Sequence, residues 1–235
     1  MTLKAIAFDI DGTLYPNRSM YLRSIPFALR NIRLMREFRR VRKELRAIRP
    51  IHDFYETQAQ YVADGLGQSY AVARERIDRL IYGEWEQVLR SVKVYAGVRD
   101  FIARLAGSTV KIGVMSDFPV HNKLEILGLS GLWDAEVAAE TTGYLKPAAE
   151  PFIVLSGQLG VNPDETLYVG NSYHYDVIGA SRAGMFTAHL DPRTRSKAEL
   201  VHTQITSSTE GEVKPNIRFR TYEALEKLIL PYISH

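Results

Sequence analysis

Two aspartates stand two positions apart near the N-terminus of the 235-residue chain, within the segment Phe8-Asp9-Ile10-Asp11-Gly12-Thr13-Leu14-Tyr15. The mostly apolar residues 4–8 before them predict a strand that is buried on both faces. Residues i and i+2 of a strand point to the same side, so Asp9 and Asp11 would face one pocket. Like charges this close oppose each other's ionisation, which proteins accept mainly where a cation or a proton transfer is involved. The pair therefore indicates a catalytic site.

Carboxylate chemistry offers the pair two separate tasks. One carboxylate can attack phosphorus to form an aspartyl-phosphate, and a second can protonate the leaving alcohol and later deprotonate the attacking water. A simpler alternative is that Asp11-Gly12 only forms a polar turn. The whole segment, however, resembles the first motif of the haloacid dehalogenase-like (HAD) superfamily, and this resemblance implies that Asp9 is the nucleophile and Asp11 the general acid/base. Dehalogenases of that superfamily lack the second acid, so Asp11 favours phosphorus chemistry.

Two later segments resemble the second and third motifs of the same superfamily. The apolar run 109–115 ends in Ser116-Asp117, which implies a hydroxyl and a backbone N–H that bind a phosphoryl oxygen; the alternative is a simple helix N-cap. Lys146, in the segment 143–152, precedes Pro147 and would offset the negative charge of an anionic substrate beside the nucleophile. The resemblance thus makes Ser116 and Lys146 catalytic and makes Ser116, Asp117 and Lys146 the phosphate-binding residues.

A fourth segment, residues 166–176, resembles the acidic metal motif with one departure, because Asn171 stands where the family has an acid. Mg²⁺ prefers six oxygen ligands, and the resemblance implies Asp9, the backbone carbonyl of Asp11, Asn171 and Asp176 as the residues of the metal site. Loss of one charge about 4 Å from the ion forfeits roughly 1–4 kcal/mol of attraction. We expect an active but weak Mg²⁺ site, in which Asp176 compensates directly or through a water.

The composition excludes several other classes of site. The chain has no cysteine, which rules out disulfides, thiolate nucleophiles and cysteine-bound metal clusters. The six histidines show no metal-ligand spacing. Asp9 and Asp11 interrupt the N-terminal apolar run, and no stretch approaches the length of a membrane span, so we expect no signal peptide, no membrane partner and a cytoplasmic location.

The order of elements predicts an α/β fold. Strands are expected near residues 4–9, 109–115, 133–138, 166–170 and 186–190, mostly separated by helices, which favours a Rossmann-like parallel sheet with right-handed crossovers. The four motifs all fall at the carboxyl ends of strands, where such sheets form their pockets. We assign residues 1–15 and 92–235 to this catalytic core. The polar run 193–215 is expected to be a surface excursion before a final helix over residues 222–230.

Residues 16–91 predict an inserted domain, because no connection requires about eighty residues without a strand. Three or four helices are expected, over residues 24–49, 51–63 and 69–89, with a break near Gly83 as the alternative for the last, and an apolar stripe runs along the first. An all-helical insert at this point resembles the cap of the HAD subfamily that includes phosphoglycolate phosphatase, β-phosphoglucomutase and several nucleotidases. Such a cap would close over the substrate and exclude water.

Positive charge is concentrated in the first part of this cap. Residues 18–50 contain eleven Arg or Lys and two Glu, a local charge of +9, whereas the whole chain carries +3. A solvated helix whose arginine stems cover an apolar stripe is one explanation. Attraction of phosphorylated substrates or of an acidic partner is a second. Binding of nucleic acid or a membrane surface is disfavoured but left open.

The sequence therefore predicts a Mg²⁺-dependent phosphatase that hydrolyses a small phosphomonoester, such as a sugar phosphate, a nucleotide or a phosphoglycolate-like compound. Two alternatives use the same motifs. One is a phosphomutase of the β-phosphoglucomutase type, and the other is a weakly active binding protein with a basic cap. The expected partner is a small phosphorylated metabolite, and the chain is expected to be a monomer or a homodimer.

Overall fold

The computed structural model describes residues 2–204 and 213–233 of the chain. Its strands are β1 (Ala5–Asp9), β2 (Lys111–Ser116), β3 (Ala135–Ala138), β4 (Thr166–Gly170), β5 (Phe186–Leu190), β6 (Ala198–Leu200) and β7 (Ile217–Phe219). They form one sheet in the order β3-β2-β1-β4-β5-β7-β6, parallel except where β6 joins β7. The predicted α/β fold with a parallel sheet is confirmed. The run 193–215 contains β6, and its residues 205–212 lie outside the described residues.

The helices lie between and after these strands. They are α1 (Asn17–Arg30), α2 (Ile32–Leu45), α3 (Phe54–Leu66), α4 (Tyr70–Arg76), α5 (Val98–Ala106), α6 (His121–Leu127), α7 (Glu150–Leu159), α8 (Ile178–Arg182) and α9 (Tyr222–Ile229). Wide π-helical turns follow α4 over Ile77–Trp85, and tighter turns follow over Glu86–Ser91. No helix within the described part of the chain is both long and apolar enough to span a membrane.

The central strand β1 is buried along its whole length. Its side chains alternate between the two faces of the sheet. Ile6 and Phe8 belong to the apolar cluster that includes residues of α5, α6 and α9, whereas Ala5 and Ala7 belong to the cluster with α7 and α8. A strand covered by helices on both faces needs apolar residues at every position, which explains its unbroken apolar sequence.

The register of β1 with its neighbours fixes the position of the site. Asp9 pairs with Met115 of β2, and Phe8 pairs with Val169 of β4. The three parallel strands therefore end at the same edge of the sheet. Residues at or just beyond their ends, Asp9, Ser116 and Asn171, are brought together there, at the usual position of pockets in such sheets.

The segment 16–91, which the sequence predicted to be the cap, is helical, but its first predicted helix is divided. The prediction of one helix over residues 24–49 was wrong, because α1 and α2 meet at Asn31, whose φ of −119° and ψ of 28° are not helical. The Asn31 side-chain amide donates to the carbonyl of Phe27 at 3.1 Å, as does its backbone N–H at 3.0 Å. Asparagine thus ends α1 by competing for the backbone acceptors of the helix.

The break at Asn31 also divides the predicted apolar stripe. Val41 and Leu45 of α2 are buried in the apolar cluster of the cap, which also includes Leu145 from the core. In contrast, Ile25 and Leu29 of α1 are exposed. The apolar stripe therefore packs against the interior of the cap only within α2.

Candidate active site

The first half of the site surrounds Asp9. The ammonium group of Lys146 lies 2.6 Å from Asp9 Oδ1 and 2.7 Å from Asp176 Oδ1. The hydroxyl of Thr13 lies 2.8 Å from Asp9 Oδ2 and 3.1 Å from Asn171 Oδ1, within donating distance of either. We call these five residues the Asp9 half.

Burial governs the electrostatics of the Asp9 half. Burial, together with the neighbouring Asp176, raises the pKa of Asp9 above its ordinary value, even though Lys146 opposes the change. Burial alone would lower the pKa of Lys146, but the carboxylates of Asp176 and Asp9 hold it well above the usual value. One ammonium group thus faces two buried carboxylates, and the cluster has an excess of negative charge.

Two glycines give the Asp9 half the space that it needs. Gly12 has a φ of +96°, and a Cβ on it would lie 2.5 Å from the Asn171 side-chain nitrogen. A Cβ on Gly170 would lie 2.3 Å from Asp176 Cβ. Any side chain at either position would displace a residue of the site, so these two glycines are required by the close approach of Asn171 and Asp176.

Asn171 is held through both its side chain and its backbone carbonyl. Its side-chain oxygen lies near the Thr13 hydroxyl, and its backbone carbonyl lies 3.1 Å from His189 Nε2 at the end of β5. Asp176 is held by the N–H of Ser172, which donates to Oδ2 at 2.8 Å. Among residues 2–204 and 213–233, no group of three or more carboxylate or histidine side chains could hold a metal. A cation here would need the carboxylate, amide and backbone oxygens of different residues.

The second half of the site surrounds Asp11. Lys123 Nζ and the Ser116 hydroxyl each lie 2.6 Å from Asp11 Oδ2, and the Tyr15 hydroxyl donates to Oδ1. Burial alone would raise the pKa of Asp11, but the ammonium of Lys123 and the donors of Ser116 and Tyr15 lower it to about 2. Asp11 is therefore a carboxylate in this arrangement. We call these four residues the Asp11 half.

Ser116 and Asp117 both form hydrogen bonds to other residues of the site. The Ser116 hydroxyl donates to Asp11 and accepts from the N–H of Phe118 at 3.1 Å. Asp117 accepts the N–H of Lys146 at 3.0 Å and forms an ion pair with Arg46 of the cap. Their predicted roles in phosphate binding stay predictions, and the contacts show that both residues also organise the site.

Sequence reasoning missed Lys123, Tyr15 and Thr13. A signal for Lys123 was available, because a lysine in the first turn of the helix after β2 starts close to the edge that carries the two aspartates. Its side chain is only 7% exposed, and its ammonium lies 4.9 Å from the centroid of the Phe118 ring. Thr13 and Tyr15 stand in the segment that was quoted for its two acids alone.

Two arginines of the basic cap segment point into the protein. Arg42 forms an ion pair with Glu140 in which both side chains are at least 95% buried, and it donates to the carbonyl of Asp117 at 3.0 Å. Arg46 donates to the carbonyl of Lys146 at 3.0 Å in addition to its ion pair with Asp117. The prediction of a uniformly solvated basic helix therefore does not describe these two residues, which connect the cap to the site.

Two adjoining cavities open on the site. The polar cavity, of about 560 Å³, is lined by Asp9, Lys146, Asn171 and Asp176 among others. The apolar cavity, of about 130 Å³, lies between the cap and α6. Asp11, Asn17, Tyr21 and Phe118 line both. Asp11 therefore stands at the junction of the two spaces.

Comparison with known proteins agrees with this geometry. A sequence model of the haloacid dehalogenase-like hydrolases matches residues 3–184. The chain is 30% identical over 203 residues to a glyceraldehyde 3-phosphate phosphatase of Methanopyrus kandleri, covering 80% of this chain and 84% of that one. It is 24% identical over 195 residues to the pyrophosphatase PpaX of Oceanobacillus iheyensis, covering 80% and 83%.

A solved structure shows the same fold over the whole length. The 2-haloacid dehalogenase of Pseudomonas syringae pv. Tomato DC3000 superposes with a TM-score of 0.67 at 17% sequence identity, covering 98% of this chain and 100% of that one. The family match extends from β1 through α8 and so includes all four motifs and the cap. The chain belongs to the haloacid dehalogenase-like hydrolases.

Proposed function

We propose that the protein is a phosphatase that hydrolyses a small phosphomonoester at the Asp9 and Asp11 halves of the site. The observation that carries this proposal is the position of Asp11, a second carboxylate at the junction of the two cavities and two residues from the nucleophile. Displacement of a halide needs no proton, whereas an alcohol leaves readily only when it is protonated. The names of the phosphatase and pyrophosphatase relatives support the same choice.

In the first step, an Asp9 carboxylate oxygen attacks phosphorus while the bond from phosphorus to the leaving oxygen breaks. The leaving oxygen takes a proton from Asp11 and departs as the alcohol. Lys146 lies 2.6 Å from Asp9 and can offset the negative charge of the phosphoryl oxygens. Asp11 must be protonated for this step, and the approach of an anionic phosphoryl group raises its pKa from the low value set by Lys123.

In the second step, water attacks the phosphorus of the aspartyl-phosphate and gives its proton to the Asp11 carboxylate. The bond between phosphorus and Asp9 breaks, which releases inorganic phosphate and restores the Asp9 carboxylate. The Ser116 hydroxyl and the Lys123 ammonium, both within 2.6 Å of Asp11 Oδ2, orient this base.

Mg²⁺ is part of the proposal because the donor set suits a hard cation. Asp9 Oδ2 and Asn171 Oδ1 lie on the same side of the site, since both are within 3.1 Å of the Thr13 hydroxyl. These two oxygens and the backbone carbonyl of Asp11 would hold the ion. Both oxygens of Asp176 already accept from Lys146 and Ser172, so Asp176 would act through the local charge. The ion would supply charge stabilisation for the phosphoryl group.

The alternative hypothesis, that the protein is a weakly active binding protein with a basic cap, is less favoured. Two of the eleven basic residues in the segment 18–50, Arg42 and Arg46, pair with Glu140 and Asp117 and are not available to an outside partner. A cytoplasmic location and a monomeric or homodimeric state stay predictions from the sequence.

The decisive experiment is a screen of phosphomonoesters with and without Mg²⁺, in which released phosphate and alcohol are both measured. We expect equal amounts of the two products, and we expect chelation of Mg²⁺ to abolish their release. Borohydride reduction of the enzyme during turnover should convert Asp9 to homoserine, which mass spectrometry of the peptide detects. An isomerised phosphate ester without free phosphate would identify a mutase instead, and no product with any ester would overturn the proposal.

A further inference from the structure

The apolar cavity has a lining suited to a flat or bulky apolar group. Its walls include the rings of Tyr21, Tyr82, Trp85 and Phe118 and the side chains of Met20 and Ile81. The Phe118 ring contacts Trp85 edge-on with centroids 6.2 Å apart and Tyr82 at 6.3 Å. Rings arranged in this way favour another ring or an aliphatic group of similar size.

The position of the cavity relative to Asp11 identifies what would occupy it. The phosphoryl group must lie over Asp9 and Lys146, in the polar cavity. A general acid must reach the leaving oxygen, so the bond that breaks has to lie near Asp11. The apolar cavity starts at Asp11 and extends away from Asp9 toward the cap, which makes it the space for the leaving alcohol.

The charges around the apolar cavity restrict this alcohol further. Of the described residues that line it, three are charged, namely Asp11, Glu86 and Lys123. The Lys123 ammonium already pairs with Asp11, so it offers little to a second anion. Glu86 is 9% exposed, and its carboxylate binds the side-chain amide of Asn122. A carboxylate or second phosphate on the alcohol would meet Glu86 without a free cation to balance it.

We propose that the preferred substrate is a phosphomonoester whose alcohol carries an aromatic ring, or an apolar group of that size, and no negative charge. The proposal rests on the phosphatase function proposed above and narrows its substrate class. It disfavours phosphoglycolate-like esters and bisphosphates, which carry a second anionic group on the alcohol.

Esters of primary alcohols test the proposal without large differences in leaving-group reactivity. 2-Phenylethyl phosphate should exceed ethyl phosphate in kcat/KM by roughly 30-fold or more, because the ring is transferred from water into the apolar cavity. 2-(4-Carboxyphenyl)ethyl phosphate should fall about tenfold below 2-phenylethyl phosphate, since its carboxylate is placed near Glu86.

Two variants connect these preferences to the cavity. Tyr21→Ala removes a ring that is 54% exposed, so the fold should tolerate it, and the preference for the phenylethyl over the ethyl ester should fall several-fold. Glu86→Gln keeps the shape of the side chain and should raise the ratio of the carboxylated to the uncharged ester. Tyr61→Ala, at a 36% exposed tyrosine of α3 outside both cavities, is the matched control and should leave both ratios unchanged.

The outcomes separate the two proposals. Ethyl phosphate or phosphoglycolate hydrolysed as well as the phenylethyl ester would overturn the inference about the cavity and leave the phosphatase function intact. Ratios that do not respond to Tyr21→Ala or Glu86→Gln would also overturn it. Hydrolysis of none of these esters, nor of any other phosphomonoester, would overturn the proposed function and this inference together.

Discussion

The two halves of the site place two aspartates, separated by one residue in the chain, in opposite environments. Asp9 is 94% buried and shares one lysine with Asp176, and its pKa is raised. The Asp11 side chain is one-third exposed and accepts hydrogen bonds from Lys123 and from two hydroxyl groups. Its pKa is lowered. Both shifts oppose the proposed tasks, because a nucleophile must be ionised and a general acid protonated; a cation beside Asp9 would lower its pKa, and an anionic phosphoryl group beside Asp11 would raise that of Asp11. Here the excess of negative charge around Asp9 suits a cation, and the ordered carboxylate of Asp11 suits proton transfer.

The largest expected effect follows from removing the charge of Asp9. Asp9→Asn should reduce turnover of every phosphomonoester to the detection limit, because an amide cannot form the acyl-phosphate. The amide oxygen can still accept from Lys146 or Thr13, so the fold should persist. Steady-state kinetics and circular dichroism measure the two effects. Retention of most of the activity would exclude Asp9 as the nucleophile.

Asp11→Asn should cost roughly 10²–10⁴-fold in kcat for an alkyl phosphate, the usual contribution of general acid–base catalysis. The loss should be smaller for 4-nitrophenyl phosphate, whose leaving group needs no proton. Tyr15→Phe removes one donor to Asp11 but keeps the carboxyl group, and it serves as the milder control. An equal loss of kcat with both esters would show that Asp11 has only a structural role.

The two lysines provide a direct comparison of the halves. Lys146→Met should lower kcat about 10²–10³-fold, because the reacting group loses one electrostatic contact. It should also reduce the free energy of unfolding by about 3–5 kcal/mol, because two buried carboxylates lose their partner. Lys123→Met should lower kcat about 10–100-fold and affect stability less, since Asp11 is one-third exposed. Turnover and urea unfolding of both variants test this order, and the reverse order would contradict it.

The sequence predicted residues of both halves of the site. Asp9, Ser116, Lys146, Asn171 and Asp176 stand in motifs that follow strands or begin helices, and the parallel register of β1, β2 and β4 brings the strand ends to one edge. Their proximity therefore follows from local pattern and sheet geometry. The roles assigned to them by resemblance to the superfamily are not fixed by that geometry and stay proposals.

Of the three missed residues, Thr13 and Tyr15 contact the aspartates four positions before them, whereas the contact of Lys123 depends on packing between distant segments. Lys123 reaches Asp11 only because α6 packs beside the site, and Arg46 reaches Asp117 only because the cap lies over the core. The end of α1 at Asn31 likewise depends on a side-chain amide that competes with the helix, a local choice that apolar periodicity does not report. Hydrophobic patterns predicted the elements, and tertiary packing determined which polar side chains meet.

The smallest expected effect concerns the departure at Asn171. Asn171→Asp should lower the Mg²⁺ concentration for half-maximal activity at least about fivefold, because a carboxylate would replace an amide oxygen roughly 4 Å or less from the ion. Thr13 would still hold the new carboxylate near Asp9, since its hydroxyl lies 3.1 Å from Asn171 Oδ1. Titration of activity with Mg²⁺, and direct calorimetry of Mg²⁺ binding without substrate, measure the change.

Gln87→Glu is the matched control for this substitution, because it adds one carboxylate beside Arg90 at an exposed position outside both cavities. It should leave the Mg²⁺ requirement unchanged, since charges at such a distance are screened by solvent and salt. A Mg²⁺ requirement that stays constant or rises in Asn171→Asp would show that Asn171 does not belong to the metal site. The negative charge of the Asp9 half would then be balanced by Lys146 and by a cation held without Asn171.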